Sequence, residues 1–287
     1  MIRMRFLFSL LLLLPAALPA NLRAPWQIQT FPAFSLLPGS KIGGLTVLGE
    51  TLEFQCGSLY EGEPDLDRLQ KSACKVKAAY RISSERPADA GLEFVGPSAE
   101  GFTALVNGKP SAPAVSAIPM QKENAAKYGS YPVCRFCSSE DVSLFAVRFR
   151  ASLGAGENTI IVSYTQPLSS DEVSYGYFKD SRWAQGFDYE LWPLKEWKLA
   201  PDFRMHVRIT SPRPGFWARM FEDHPWKCYG VALGQRPPLP VSGTKGPGID
   251  PGKLKQSPLP LGFSSDTWQW SLELDAAFPD RLSCSME

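Results

Sequence analysis

Apolar and polar side chains alternate with a period of two along most of the chain after residue 45. That spacing sends successive side chains to opposite faces of a pleated backbone, so it predicts half-buried β-strands. Leu52, Phe54 and Cys56 share one face, with Glu53 and Gln55 on the other. Cys74, Val76, Ala78, Tyr80 and Ile82 repeat the pattern, and Phe102, Ala104 and Val106 run into Asn107-Gly108. Asn-Gly predicts a tight hairpin turn, because both residues tolerate positive φ. Phe145, Val147 and Phe149 alternate with Arg148 and Arg150. A turn at 154–158 leads into Ile160, Val162 and Tyr164. Phe187, Tyr189 and Leu191 alternate with Asp188 and Glu190; Phe203, Met205, Val207 and Ile209 alternate with Arg204, His206 and Arg208. Trp268, Trp270, Leu272 and Leu274 form a last apolar face. No amphipathic pattern sustains three helical turns, and only 64–71 and 120–127 read as short helices.

The chain carries 26 Pro and 23 Gly among 287 residues, a surplus of turn formers that suits many short strands. Two segments read as long loops. Residues 110–141 mix Pro, Ser and Lys, and 236–262 hold seven Pro and five Gly in 27 positions. Pro lacks the N–H that a sheet ladder needs, and Gly packs nothing. The expected fold is all-β, an antiparallel β-sandwich, immunoglobulin-like or related, with few short helices. It divides into an extended segment over 21–44, a sandwich over 45–170 and a second β-rich half over 171–287, packed as one sandwich or two.

Residues 1–20 read as a signal peptide. Arg3 and Arg5 precede the apolar run 6–14, and Pro15 to Ala20 form a small-residue, helix-breaking end. The run falls short of the roughly 20 apolar residues that cross a bilayer, and no later stretch replaces it, so no transmembrane segment is expected after cleavage. Location is expected to be periplasmic or extracellular. Thirty basic and 29 acidic side chains give a net charge of +1, which excludes the clustered basic excess of a nucleic-acid binder. Export makes the six cysteines a disulfide framework. Cys56 and Cys74 each lie on the apolar face of a strand and are expected to pair. Cys134 and Cys137 pair locally, which leaves Cys228 with Cys284.

The order of elements in 45–210 resembles a general type of exported bacterial β-sandwich of uncharacterised function. The resemblance rests on Glu50-Thr51-Leu52-Glu53-Phe54, the Val76–Tyr80 stretch, Gly156-Glu157-Asn158 before Ile160, and Phe187-Asp188-Tyr189-Glu190-Leu191-Trp192-Pro193 with Trp197 close behind. It implies an exported location and the fold, and no activity.

Four constellations could carry chemistry. Cys134-Arg135-Phe136-Cys137 is a CxxC, but no helix start or βαβ unit surrounds it, so a structural disulfide is favoured over thiol–disulfide exchange. Seven of the eight Trp lie within 183–270. Among them Trp192 and Trp197 sit in a Pro-containing connection beside Asp188 and Glu190. An exposed Trp beside acids suits sugar stacking; a buried one plugs the end of a sandwich. Asp188 and Glu190, roughly 7 Å apart on one strand face, could serve two-carboxylate glycoside hydrolysis. The favoured reading sets them against Arg204, His206 and Arg208 across a hairpin as a surface charge ladder. The acidic stretch Glu61, Glu63, Asp65 and Asp67 lacks an EF-hand's spacing, and Glu222-Asp223-His224 reads as solvated. No cofactor or metal is expected. The favoured reading is a non-enzymatic binding or structural module whose partner is an envelope protein or glycan. Carbohydrate binding or processing through Trp192, Trp197, Asp188 and Glu190 is the alternative, and thiol–disulfide exchange comes third.

Overall fold

The computed structural model describes residues 27–28, 33–38, 43–57, 72–119, 143–176, 179–212, 226–231, 256–257 and 267–286. Eighteen strands run through them: β1 (Gln27–Ile28), β2 (Ala33–Phe34), β3 (Leu37–Pro38), β4 (Leu45–Cys56), β5 (Ala73–Ser84), β6 (Ala88–Gly96), β7 (Thr103–Val106), β8 (Lys109–Ser111) and β9 (Ala114–Pro119). After them come β10 (Ser143–Leu153), β11 (Gly156–Pro167), β12 (Ser169–Gly176), β13 (Lys179–Glu190), β14 (Leu199–Pro212), β15 (Lys227–Val231), β16 (Gln256–Ser257), β17 (Thr267–Leu274) and β18 (Arg281–Met286). A single 3-10 turn, Trp192–Glu196, separates β13 from β14. The fold is all-β, as the alternation predicts. Among the described residues no helix is long and apolar enough to cross a membrane.

The strands form three sheets. A long sheet has the order β16-β17-β14-β4-β5-β11-β7-β8, a six-stranded sheet runs β1-β12-β13-β18-β15 with β2 added beside β13, and a four-stranded sheet runs β3-β6-β10-β9. Pairing is antiparallel except where β14 meets β4 and β2 meets β13. The long sheet therefore interleaves strands from both halves of the chain. One of its faces is polar, and basic side chains meet acids there: Arg208 and Lys77 near Glu53, Arg204 and His206 near Glu273. Its other face holds Phe54, Val76, Tyr164, Val207 and Leu272, all buried. The two smaller sheets share that apolar face. Phe187 of the six-stranded sheet stacks on Phe54 at 4.1 Å between ring centroids, and Phe94 of the four-stranded sheet meets Tyr164 at 4.7 Å. Burying each such side chain contributes about 1.5–3 kcal/mol, so this shared face holds the three sheets together.

Two corners carry the chain between the long and four-stranded sheets at the same end. Leu153 pairs with Ala88, and Gly156 pairs with Ser84. The buried Asn158 side chain braces this end: its oxygen accepts from the Gly154 N–H and the Asn107 amide, and its amide donates to the Gly154 and Gly156 carbonyls. The Asn107-Gly108 hairpin forms between β7 and β8, with φ of 50° and 76°. Two disulfides join residues directly opposite each other on neighbouring strands, Cys56 with Cys74 and Cys228 with Cys284. Those pairings match the expectation. Cys134 and Cys137 lie outside the described residues, as do the signal segment 1–20, the acidic stretch 61–67, the short helices proposed at 64–71 and 120–127, and Glu222-Asp223-His224.

The proposed hairpin of 187–191 with 203–209 does not form. β13 and β14 lie in different sheets, and β13 pairs with β12, β18 and β2 instead. The alternation of both segments was legible, but alternation assigns faces and says nothing about which strand lies alongside.

Candidate functional site

A short N-terminal strap, residues 33–38, crosses the seam between the two smaller sheets. Ala33 and Phe34 run parallel to Tyr189 and Glu190 in one sheet, and Leu37 and Pro38 pair with Glu93 and Leu92 in the other. Between them the main chain of Ser35 and Leu36 is buried and bound on three sides. The Ser35 N–H donates to the Glu190 carbonyl at 2.8 Å, the Leu36 N–H donates to the Tyr80 hydroxyl at 3.1 Å, and the Trp197 indole N–H donates to the Leu36 carbonyl at 2.8 Å. The seam leaves the Leu36 N–H and carbonyl to side chains, which supply the hydrogen bonds that burial demands.

Beneath the strap lies a buried carboxyl group. Glu50 belongs to β4, whose register with β5 shifts between Val47 and Gly49. Leu45 and Val47 face the core before the shift; Glu50, Leu52, Phe54 and Cys56 face it after. One extra residue reverses the parity of a strand. Gly49 sits at this shift because the β14 backbone passes close by: a Cβ there would lie 2.9 Å from the Arg204 carbonyl oxygen.

The polar atoms around Glu50 form a connected chain. The Tyr189 hydroxyl donates to Glu50 Oε1 at 3.3 Å, and the Tyr80 and Tyr189 hydroxyls are 3.2 Å apart. Each phenol has one proton. Tyr80 accepts from Leu36 and shares a hydrogen bond with Tyr189 in which either hydroxyl can donate. A continuous relay thus runs from the strap amide through two phenols to the carboxyl group. Burial pushes the Glu50 pKa from 4.5 up to about 8, although hydrogen bonds with Tyr80 and Tyr189 pull the other way. Burial likewise raises the phenols of Tyr80 and Tyr189 well above their ordinary value, and the neighbouring Glu50 raises them further. Tyr164 is raised by the same burial. Among the described residues Glu50 Oε2 and the Tyr164 hydroxyl have no hydrogen-bond partner. At neutral pH Glu50 is therefore a neutral acid in a site of weak acids. Such a group can donate a hydrogen bond or hold a proton in reserve.

The residues singled out from the sequence lie around this seam without converging on one opening. Trp197 is buried at 9% exposure, with its N–H committed to the strap. Trp192 is half-buried and packs with Leu37 against Val95, Ile118, Leu144 and Ala146. Asp188 and Glu190 share the face of β13 opposite Tyr189. Their cation is Arg281 on β18: its guanidinium bonds to Glu190 Oε1 and lies 3.9 Å from Asp188 Oδ2. The proposed partners Arg204, His206 and Arg208 are in the long sheet instead. Glu190 is also 1% exposed, so the expected surface ladder is a buried ion pair. Asp188 is raised by burial, against a hydrogen bond with Ser283 and the charge of Arg281. Among the described residues no group of three or more His, Cys, Asp or Glu side chains is placed to hold a metal ion.

Sequence reasoning passed over Glu50 and Arg281. For Glu50 the signal was present: it has the parity of Leu52 and Phe54, an acid in step with an apolar face. Nothing in the sequence marks Arg281 as the partner of Glu190, since 91 residues separate them.

No protein-family model matches the chain, and no curated protein matches it. Among solved structures, a Legionella pneumophila protein described provisionally as a nutrient binding protein aligns with a TM-score of 0.52 and 12% identity, over 91% of this chain and 72% of that one. This likeness concerns the fold. Native yeast LTA4 hydrolase aligns over 86% of this chain but 30% of its own, at 7% identity and a TM-score of 0.34, too loosely to carry an inference.

Proposed function

We propose that the protein is an exported, non-enzymatic binding or structural module of the cell envelope or secretome. The observation that carries this reading is the pair of cross-strand disulfides, Cys56–Cys74 and Cys228–Cys284. Bonds of this kind persist in oxidising compartments and are rare where thiols are kept reduced. The charged cluster supports the same reading. Asp188 and Glu190 close on Arg281, which fits a structural ion pair better than an acid and base poised around a substrate. The provisional description of the Legionella protein as nutrient binding is compatible with a binding role here.

Expression of the full chain in a bacterial host, followed by fractionation and N-terminal mass analysis, tests the proposal. The expected product is shortened by about 20 residues, lies outside the cytoplasm and carries both disulfides. A chain retained whole in the cytoplasm with Cys56 and Cys74 reduced would overturn it.

A further inference from the structure

The strap and the buried carboxyl group are physically one unit. Leu36 is bound through Tyr80 and Tyr189 to Glu50, and Trp197 closes the other side of the same peptide. We propose that Glu50 is a proton-operated latch: its neutral acid form keeps the strap 33–38 seated across the seam, and loss of that proton releases the strap and loosens the junction of the two smaller sheets.

The geometry argues for this through what surrounds the carboxyl group. Tyr80 faces it from β5, Tyr189 from β13 and Tyr164 from β11, and all three are acids. Met205 is its register partner on β14, and Ser35 and Leu36 lie in the strap. Among the described residues no cation contributes to its environment. The nearby Arg281 is held by Asp188 and Glu190, on the far face of β13 from Tyr189. A carboxylate formed here would have only phenol hydroxyls to meet its charge, and its Oε2 has no hydrogen-bond partner among the described residues. An uncompensated buried charge is costly, and the structure can relieve it by admitting water. The strap offers a route for that water between its pairing through Ala33 and Phe34 with one smaller sheet and its pairing through Leu37 and Pro38 with the other.

The sign follows from proton linkage. Between the ordinary value of 4.5 and about 8 the seated form keeps its proton, whereas a solvated Glu50 has lost it. Strap opening should then rise by about tenfold per pH unit across that window and level off above it. Below it both forms are protonated and opening is least favoured.

Hydrogen exchange on the full chain, normalised for intrinsic rates, reads this directly. From about pH 5 to about pH 8 the amides of Ser35 and Leu36 should lose protection by about tenfold per unit, and at each pH they should be less protected than the central amides of the β5–β11 ladder. Glu50→Gln, which keeps the neutral shape, should make strap protection independent of pH. A residual slope in that variant would assign the effect to another group and overturn the latch. Strap protection equal to that of the ladder at every pH in the wild type would overturn it too, because the event would then be global unfolding. Tyr80→Phe supplies a check that needs no Gln variant: removing the hydroxyl that accepts from Leu36 should weaken strap protection even at about pH 5. Unchanged strap protection in that variant would refute the relay.

Discussion

The hydroxyls of Tyr80 and Tyr189 meet 3.2 Å apart in the buried core, one from the long sheet and one from the six-stranded sheet packed on it. Residues 109 positions apart in sequence thus form a polar junction between two layers. It is continued to the strap through Leu36 and into the core through Glu50. Buried polar networks of this kind are costly when incomplete and fix a single arrangement when complete.

The global stability of the chain should fall as pH rises, because Glu50 has a folded pKa raised to about 8. A raised acid contributes its stability below the unfolded value of 4.5 and loses it progressively up to about 8. The limiting slope is about 1.4 kcal/mol per pH unit. Urea unfolding of wild type and Glu50→Gln at several pH values between those limits measures it. The Gln variant should have the flatter profile and be the more stable of the two at the upper limit.

Trp197→Ala should cost about 3–5 kcal/mol, since it removes a buried indole and leaves a cavity at the end of the seam. Trp197→Phe refills most of the volume and loses the bond to the Leu36 carbonyl, so about 1 kcal/mol is expected. Thermal melts of both variants, with a glycan array on the wild type, separate plugging from sugar stacking. An unchanged melting point together with lost glycan binding would show Trp197 to be a ligand platform.

Arg281→Met should destabilise by about 3–5 kcal/mol, because Glu190 would remain buried without its cation. Adding Glu190→Gln should recover a substantial part of that loss. A double-mutant cycle by chemical denaturation measures the coupling; additive single effects would mean that the pair contributes little.

Peptide mapping of the unreduced protein should recover Cys56 linked to Cys74 and Cys228 linked to Cys284. Removing either bond should cost about 2–5 kcal/mol, through the freedom returned to the unfolded chain. Thiol titration of the denatured, unreduced protein should find few or no free thiols. Four or more would contradict both the disulfides and the oxidising compartment inferred from them.

Strand faces, turn chemistry and the partnership of Cys56 with Cys74 were all legible in the sequence, because each depends on local spacing. Period-two alternation at Cys74 to Ile82 and Phe203 to Ile209 is a property of the pleat itself, and Asn107-Gly108 makes its turn with its own backbone. Which strands lie side by side depended on the tertiary structure. The parallel placement of β14 beside β4, the union of Arg281 with Glu190 and the passage of residues 33–38 across the seam each join positions far apart in sequence. Alternation is indifferent to those choices, because any apolar face can cover any other. Burial of Glu50 lies between these cases: its parity pointed inward from the start. Only the assembled sheets, closing over it with three phenols, decided that the acid would be neutral rather than charged.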